Sequence, residues 1–138
     1  MEKELVNLRT DDLPLLYTVI GQLGVGNAIN KYIEVHGNWV GPLPGTLLEL
    51  WLCYILSNCD HRLSKVEKWA EQRIDLLRAM SGIKELSSYD FSDDKLGLLL
   101  DYFSEDSSWG LAQTDINSSI LGVYRLEGYP PNVVNYFL

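Results

Sequence analysis

The segment LLELWLCYIL, residues 47–56, is the most apolar run in the chain and the feature that most limits how it can fold. At about 100° per residue, its apolar side chains cover the whole circumference of a helix, which therefore needs protein on every side. The run is too short to cross a bilayer and contains Glu49, so we expect no membrane partner. We expect a buried central helix over about residues 46–57. Four of its large side chains are expected to be almost wholly buried: Trp51, Leu52, Ile55 and Leu56.

Apolar periodicity and stop signals divide the remaining chain into further helices. Five are expected, in the segments 11–24, 26–38, 64–80, 92–103 and 109–126. Strand-type alternation is confined to residues 4–9, and a hydrophobic content of 46% is typical of a globular domain. The sequence therefore predicts an all-α fold, an irregular bundle of about five to six helices around the central one.

Three helix starts carry capping signals. Thr46 and Glu49, and again Ser64 and Glu67, have the spacing of a capping box, in which each side chain bonds the backbone N–H of the other residue. Ser92 precedes two aspartates and can cap the helix that follows. We therefore expect the central helix to begin at Thr46, the next at Ser64 and the one after it at Ser92.

An otherwise acidic chain concentrates its positive charge in one stretch, residues 61–78. The formal net charge is −8, yet five of the eleven Lys and Arg residues lie here with three acidic residues, which leaves +2 in the stretch and −10 elsewhere. Arg62, Lys65 and Lys68 share one edge of the expected helix. Two interpretations remain open: a solvated face laced with salt bridges, or an edge that contacts nucleic-acid phosphates.

Arg73 belongs to the apolar side of the same expected helix, at core spacing from Trp69. A guanidinium on a buried face needs a carboxylate or backbone carbonyls as partners, because an unpaired buried charge is costly. Asp93 and Asp94 are candidate partners. We therefore assign Arg73 a structural role as a buried charge.

Candidate metal-binding and nucleophilic residues are few. Cys59, Asp60 and His61 are adjacent, but only His36 and Cys53 could complete a zinc site, and neither C-x-x-C nor H-x-x-x-H spacing occurs. We expect Asp60 and His61 to form a polar turn between two helices, with His61 bonded to a carbonyl. We expect no metal site and no cofactor.

The densest carboxylates are Asp93 and Asp94, with Asp101 seven residues further on. A two-metal nuclease site needs carboxylates that converge on a cleft, whereas these lie on one helix and two of them in its first turn. Helix capping explains them better. The sequence therefore assigns no catalytic residue.

The two cysteines, Cys53 and Cys59, would point about 240° apart on one helix and are not expected to pair. The first residues, MEKELVNLRT, contain no apolar run of the kind found in signal peptides. Unpaired thiols in such a chain favour a cytoplasmic location.

Four segments in a fixed order resemble the N-terminal helical domain of bacterial insertion-sequence transposases of the DDE (Asp-Asp-Glu) type. They are DDLPLLYTVIGQLGV, the long segment 38–80, YDFSDDKLGLLLDYFSED and LGVYRL. The resemblance runs from about Asp11 to Leu126, and its most specific parts are 60–62, 64–73 and 91–100. It implies a region that precedes an RNase H-like catalytic domain and helps to recognise transposon-end DNA or to assemble the transposase.

The chain departs from that family after residue 126, where it continues EGYPPNVVNYFL with Glu127 as its one acid. The family's catalytic residues have no counterparts to which they could be assigned. We therefore expect a helical domain over 1–126, an atypical tail over 127–138 and no enzymatic activity, as in a truncated transposase.

Two classes of function follow from these expectations. The resemblance implies transposon-end DNA as a partner. A sequence pI near 4.6 favours the alternative, a module for dimerisation or for docking on a full-length transposase, because DNA-binding domains are usually basic. An inert transposon relic without DNA binding is the third interpretation.

Overall fold

The computed structural model describes residues 12–35, 37–60 and 62–124. Within these ranges the chain forms seven α-helices, two short 3-10 helices and no strand. The α-helices are α1 (Leu13–Gln22), α2 (Val25–Tyr32), α3 (Pro44–Asn58), α4 (Val66–Gln72), α5 (Ile74–Ser81), α6 (Asp93–Phe103) and α7 (Asp106–Tyr124), and the 3-10 helices are Leu63–Lys65 and Ser88–Phe91. The all-α class is confirmed. The possible strand at residues 4–9 and the proposed tail at 127–138 lie outside the described ranges.

None of the helices in these ranges combines the length and apolar character needed to cross a membrane.

The central helix of the prediction is α3, which packs against α1, α2 and α4. Leu47, Leu50 and Cys53 are fully buried, and Trp51 is 5% exposed. The expectation of burial on every side was wrong towards the end of the helix, where Leu52 and Ile55 are half-buried and Leu56 is 54% exposed. The neighbouring helices cover only part of the α3 circumference, so an apolar side chain on the remaining face stays in water.

Glu49 does not complete a capping box with Thr46. The helix begins earlier, at Pro44, without a side-chain cap, and the Glu49 carboxylate instead accepts a hydrogen bond from the backbone N–H of Gly26. That N–H belongs to the first turn of α2, which also lacks a side-chain cap of its own. A Cβ on Gly26 would overlap the carboxylate, so the missing side chain creates the space that Glu49 occupies.

A second glycine brings α2 and α3 into close contact. The backbone N–H of Gly45 donates to the Asn30 side-chain oxygen at 2.7 Å, and a Cβ on Gly45 would overlap the Gly26 carbonyl. The N-terminal half of the central helix is therefore anchored to α2 by two polar contacts that cross the helix interface.

The expected fourth helix is divided in two at Arg73, between α4 and α5. The Arg73 side chain donates through Nη1 to the Trp69 carbonyl at 2.6 Å, which is the acceptor that its own amide would use in a continuous helix. The Arg73 amide bonds the Ala70 carbonyl instead, and its backbone leaves the helical region, at φ −134° and ψ 30°. The guanidinium thus replaces the backbone donor at the point where the helix breaks.

The two remaining capping predictions had different outcomes. Ser64 lies inside the 3-10 helix Leu63–Lys65, and α4 begins without a side-chain cap, so the second capping box was wrong. Ser92 caps α6 as expected, since its hydroxyl accepts a hydrogen bond from the Lys95 N–H at 3.2 Å.

The depth of burial on α3 leads to a paired prediction. Leu50→Ala should lower the free energy of unfolding by about 2–5 kcal/mol, because it removes a fully buried side chain and leaves a cavity. Leu56→Ala, the same substitution on an exposed face of the same helix, should change it by less than about 0.5 kcal/mol. Urea unfolding of both variants measures the two values, and equal losses would contradict this packing of α3.

The position of Glu49 predicts a pH dependence. Burial raises its pKa above the usual 4.5, opposed by the hydrogen bond from Gly26, so the folded chain keeps this proton to a higher pH than the unfolded chain. Ionisation of Glu49 therefore costs stability as pH rises from about 4.5 through the folded-state pKa. Glu49→Gln keeps an oxygen acceptor but removes the charge. Its free energy of unfolding, relative to the wild type, should increase over that pH range, and a constant or decreasing difference would refute the effect.

Candidate nucleic-acid interface

A surface groove of about 630 Å³ lies between the end of α3 and the segment formed by the 3-10 helix Leu63–Lys65 and α4. Four of its lining residues are basic, namely Arg62, Lys65, Lys68 and Arg73. Asp60 is the one carboxylate among the described residues that line it. We call this site the basic groove. It brings together all four basic residues that the sequence analysis selected, including the one assigned a purely structural role.

The end of α3 and the turn that follows it form one side of the groove. Cys59 follows the helix in the left-handed conformation, with φ 51°, which turns the chain away from the helix axis. Beneath the groove, Tyr54 of α3 and Trp69 of α4 pack edge to face with their ring centroids 5.3 Å apart. Both rings are at most 6% exposed, so they support the groove and are not open to stacking by a ligand.

Asp60 and Arg62 form a clamp at one end of the groove. The Asp60 carboxylate accepts from the Tyr54 hydroxyl at 2.8 Å, from the Arg62 backbone N–H at 3.1 Å and from Arg62 Nε at 3.0 Å. The Arg62 hydrogen bonds, with that of Tyr54, hold the pKa of Asp60 well below its usual range. Burial, together with Asp60, raises the pKa of Tyr54 to about 12. Much of the Arg62 charge is therefore already neutralised within the chain.

Lys65 and Lys68 have no such partner. Both are exposed, and in the part of the chain that the structure describes neither has a carboxylate within 4.0 Å. The acidic residues of the same stretch do not pair with them, and the ion pair found there joins Asp75 to Arg78 at 3.5 Å. No ion pair within the described chain therefore offsets the two lysines at the groove.

Arg73 lies deeper than the lysines and is held by Trp69. Its guanidinium carbon is 4.8 Å from the centroid of the Trp69 ring, and burial lowers its pKa. The predicted carboxylate partners were wrong, since Asp93 and Asp94 are exposed and the Asp93 side chain accepts from the Asp94 N–H at 3.0 Å. The expected carbonyl partner exists in Trp69, but the Nε atom of Arg73 is buried and has no acceptor among the described residues.

The thiols and candidate metal ligands among the described residues do not form a second site. Cys53 and Cys59 are both free, as expected from their spacing, and burial raises the pKa of Cys53 to about 12. Within residues 12–35, 37–60 and 62–124, no three His, Cys, Asp or Glu side chains are close enough together to hold a metal ion. His36 and His61 lie outside these ranges, and so does the hydrogen bond predicted for His61.

Sequence reasoning missed the part that Tyr54 plays in the site. In the sequence, Tyr54 is one of the continuous apolar residues of the central helix. Nothing in the sequence shows that its hydroxyl donates a hydrogen bond to Asp60. Sequence reasoning also treated Arg73 as separate from the basic edge, because a core-spaced residue on a continuous helix would point away from the groove. The helix break at Arg73 could not be read from the pattern.

Comparison of the chain with protein-family models, with curated proteins and with solved structures finds no match in any of the three. The chemistry of the basic groove is therefore the basis on which a function can be proposed.

The clamp leads to a prediction for Asp60→Asn. The ionised carboxylate stabilises the fold at pH values above its usual pKa of 3.8, and this contribution disappears as pH falls through the lower folded-state pKa. Asp60→Asn should therefore lower the free energy of unfolding at about pH 7, and its difference from the wild type should shrink towards about pH 3. Glu71→Gln, on the exposed face of α4, serves as the control. A difference that stays constant down to pH 3 would show that the Asp60 charge does not matter.

Proposed function

We propose that this chain is a non-catalytic helical domain that binds the phosphate backbone of duplex DNA through the basic groove. One observation carries the proposal: Lys65 and Lys68 stand exposed beside Arg73 and have no carboxylate partner among the described residues, in a chain whose net charge is −8. An external anion can bind such cations at a low cost in free energy, because no ion pair within the protein has to be broken first.

The acidic remainder of the chain supports a single orientation on DNA. The stretch 61–78 carries +2 and the rest −10, so a polyanion is repelled from most of the surface and attracted at the groove. Lysine and arginine contacts to phosphates release counterions, and two or three such contacts give a log–log salt slope between about −2 and −3. The expected binding is therefore weak and strongly dependent on salt.

The basic groove suits positioning on DNA better than reading of its sequence. Phosphate contacts set the orientation of a protein on a duplex, whereas specificity comes from contacts to base edges. The two aromatic rings of the groove are buried, so they cannot stack on an unpaired base. This role agrees with the resemblance to transposase N-terminal domains, in which such a region would help to hold transposon ends, alone or with a second or full-length copy.

A protein-interaction module is the competing function, and a separate apolar surface favours it. Val40 is 75% exposed and Leu98 43% exposed, beside a cleft of about 280 Å³ that Trp39 and Tyr102 also line. Lys95 fixes this surface, since its Nζ donates to the Val40 carbonyl and lies 3.8 Å from the centroid of the Trp39 ring. Exposed apolar patches of this kind often mark contacts between proteins.

Two matched double variants test DNA binding. Lys65→Glu with Lys68→Glu reverses the free charges of the groove, whereas Lys31→Glu with Lys84→Glu makes the same charge change at exposed positions on α2 and after α5. Titration of a labelled duplex at low and moderate salt should show binding by the wild type. The groove variant should lose at least about tenfold in affinity, and the control should lose much less. Stability should change by less than about 0.5 kcal/mol in both variants.

Equal binding by the two double variants would show that the groove is not the interface. Absence of wild-type binding even at low salt would favour the interaction module. In that case sedimentation of the wild type and of Leu98→Ser would show whether the apolar surface joins two copies. A wild type that neither binds DNA nor self-associates would favour the third interpretation, an inert transposon relic.

A further inference from the structure

Arg73 differs from the other arginines within the described ranges in the state of its Nε atom. Arg62 Nε donates to Asp60 at 3.0 Å, and Arg78 Nε donates to the Leu86 carbonyl at 2.8 Å. Arg73 Nε has no acceptor although it is buried. A buried N–H without an acceptor is costly, so an unused donor on a charged group beside a groove needs an explanation.

The unused donors lie along one edge of the guanidinium. Nη1 of Arg73 is committed to the Trp69 carbonyl, which leaves the edge formed by Nε and Nη2 without a partner in the described chain. Arg62 uses the same edge to bind a carboxylate, with Nε and Nη2 at 3.0 and 3.3 Å from the two oxygens of Asp60. This side-on geometry matches the oxygens of carboxylates and of phosphates.

Two features prepare Arg73 for an anion. The Trp69 ring lies 4.8 Å below the guanidinium carbon and restricts the plane of the group, which reduces the entropy lost when a ligand is bound. Lys65 and Lys68 line the same groove, so any anion that enters it meets two further positive charges. Because Nε is buried, the guanidinium has to tilt outward to offer its free edge to a ligand.

We propose that Arg73 binds a phosphate oxyanion in the basic groove through its Nε–Nη2 edge, with Lys65 and Lys68 supplying further charge. The assignment of this phosphate to DNA rests on the proposed function. The chemistry of the site is that of any phosphate oxyanion, and free inorganic phosphate would also enter it. Arg73 thereby has two tasks, closing the helix break through Nη1 and binding the ligand through the opposite edge.

The experiment follows the Nε–Hε resonances of the arginines in ¹⁵N-labelled protein, with the Arg73 signal assigned from Arg73→Lys. Inorganic phosphate and a short duplex are titrated separately into the wild type. The Arg73 signal should shift with either ligand until it saturates. The signal of Arg78, which does not line the groove and whose Nε already donates to the Leu86 carbonyl, should move much less and serves as the internal control.

Duplex affinity of Arg73→Lys gives a second readout, because lysine keeps the charge but has no planar fork. Affinity should fall about tenfold, whereas Arg78→Lys should stay within about twofold of the wild type. Thermal unfolding of both variants shows whether they are folded. If Arg73 merely closes the helix break, Arg73→Lys lowers stability while leaving the affinity unchanged, and the proposal fails.

The two proposals fail in different ways. Duplex binding that depends on Lys65 and Lys68, with a stationary Arg73 signal, overturns the role of Arg73 and leaves the DNA interface in place. A saturable Arg73 shift with inorganic phosphate and none with duplex supports the anion site and contradicts the proposal that its source is DNA. An Arg73 signal that moves with neither ligand overturns the anion site.

Discussion

The edge-to-face contact between Tyr54 and Trp69, with ring centroids 5.3 Å apart, is the interaction on which the groove depends. It joins the central helix α3 to α4, and each of the two residues also contacts one charged residue of the groove. The Tyr54 hydroxyl holds Asp60, and through it the clamp to Arg62, while the Trp69 ring and carbonyl hold Arg73. Aromatic pairs of this kind contribute about 0.5–1.5 kcal/mol beyond their burial. Tyr54 and Trp69 therefore belong to the hydrophobic core and also position the charged residues of the groove.

The groove also shows how an acidic protein can keep a cationic surface. Of its four basic residues, Arg62 is paired with a carboxylate, and Arg73 is stacked on an aromatic ring and bonded to a carbonyl. The two lysines have no ion-pair partner among the described residues. The acidic side chains of the same stretch lie too far from Lys65 and Lys68 to form ion pairs within the described chain. How much of the basic charge is offset within the groove therefore depends on where the partners lie.

The sequence was sufficient to predict what depends on local pattern. The all-α class, the central helix and the Ser92 cap followed from spacing and residue type. Contacts between distant segments were beyond its reach. Leu56 is as apolar as Leu50, and only the number of neighbouring helices decides that it is exposed. Glu49 has capping-box spacing, yet the N–H that it bonds belongs to another helix.

The groove itself was only half predictable for the same reason. Helical spacing placed Lys65 and Lys68 on one edge. The left-handed turn at Cys59 could not be predicted, because the residue there is not a glycine. The helix break at Arg73 could not be predicted either, because it depends on the Arg73 side chain replacing a backbone donor. Both features bring Asp60 and Arg73 into the lining of the groove with the two lysines. Arg73, which spacing assigned to the core, thereby lines the site.

Mapping of backbone amide shifts on addition of a short duplex tests the DNA-binding claim most directly, because it locates the interface without any substitution. The proposed function predicts that amides between Cys59 and Arg73 shift together, in proportion to the bound fraction, and return as salt is raised. Amides of α2 and α7, away from the groove, should remain in place. Shifts centred on α2 and α7, or none at low salt, would contradict the assignment of the basic groove as the interface.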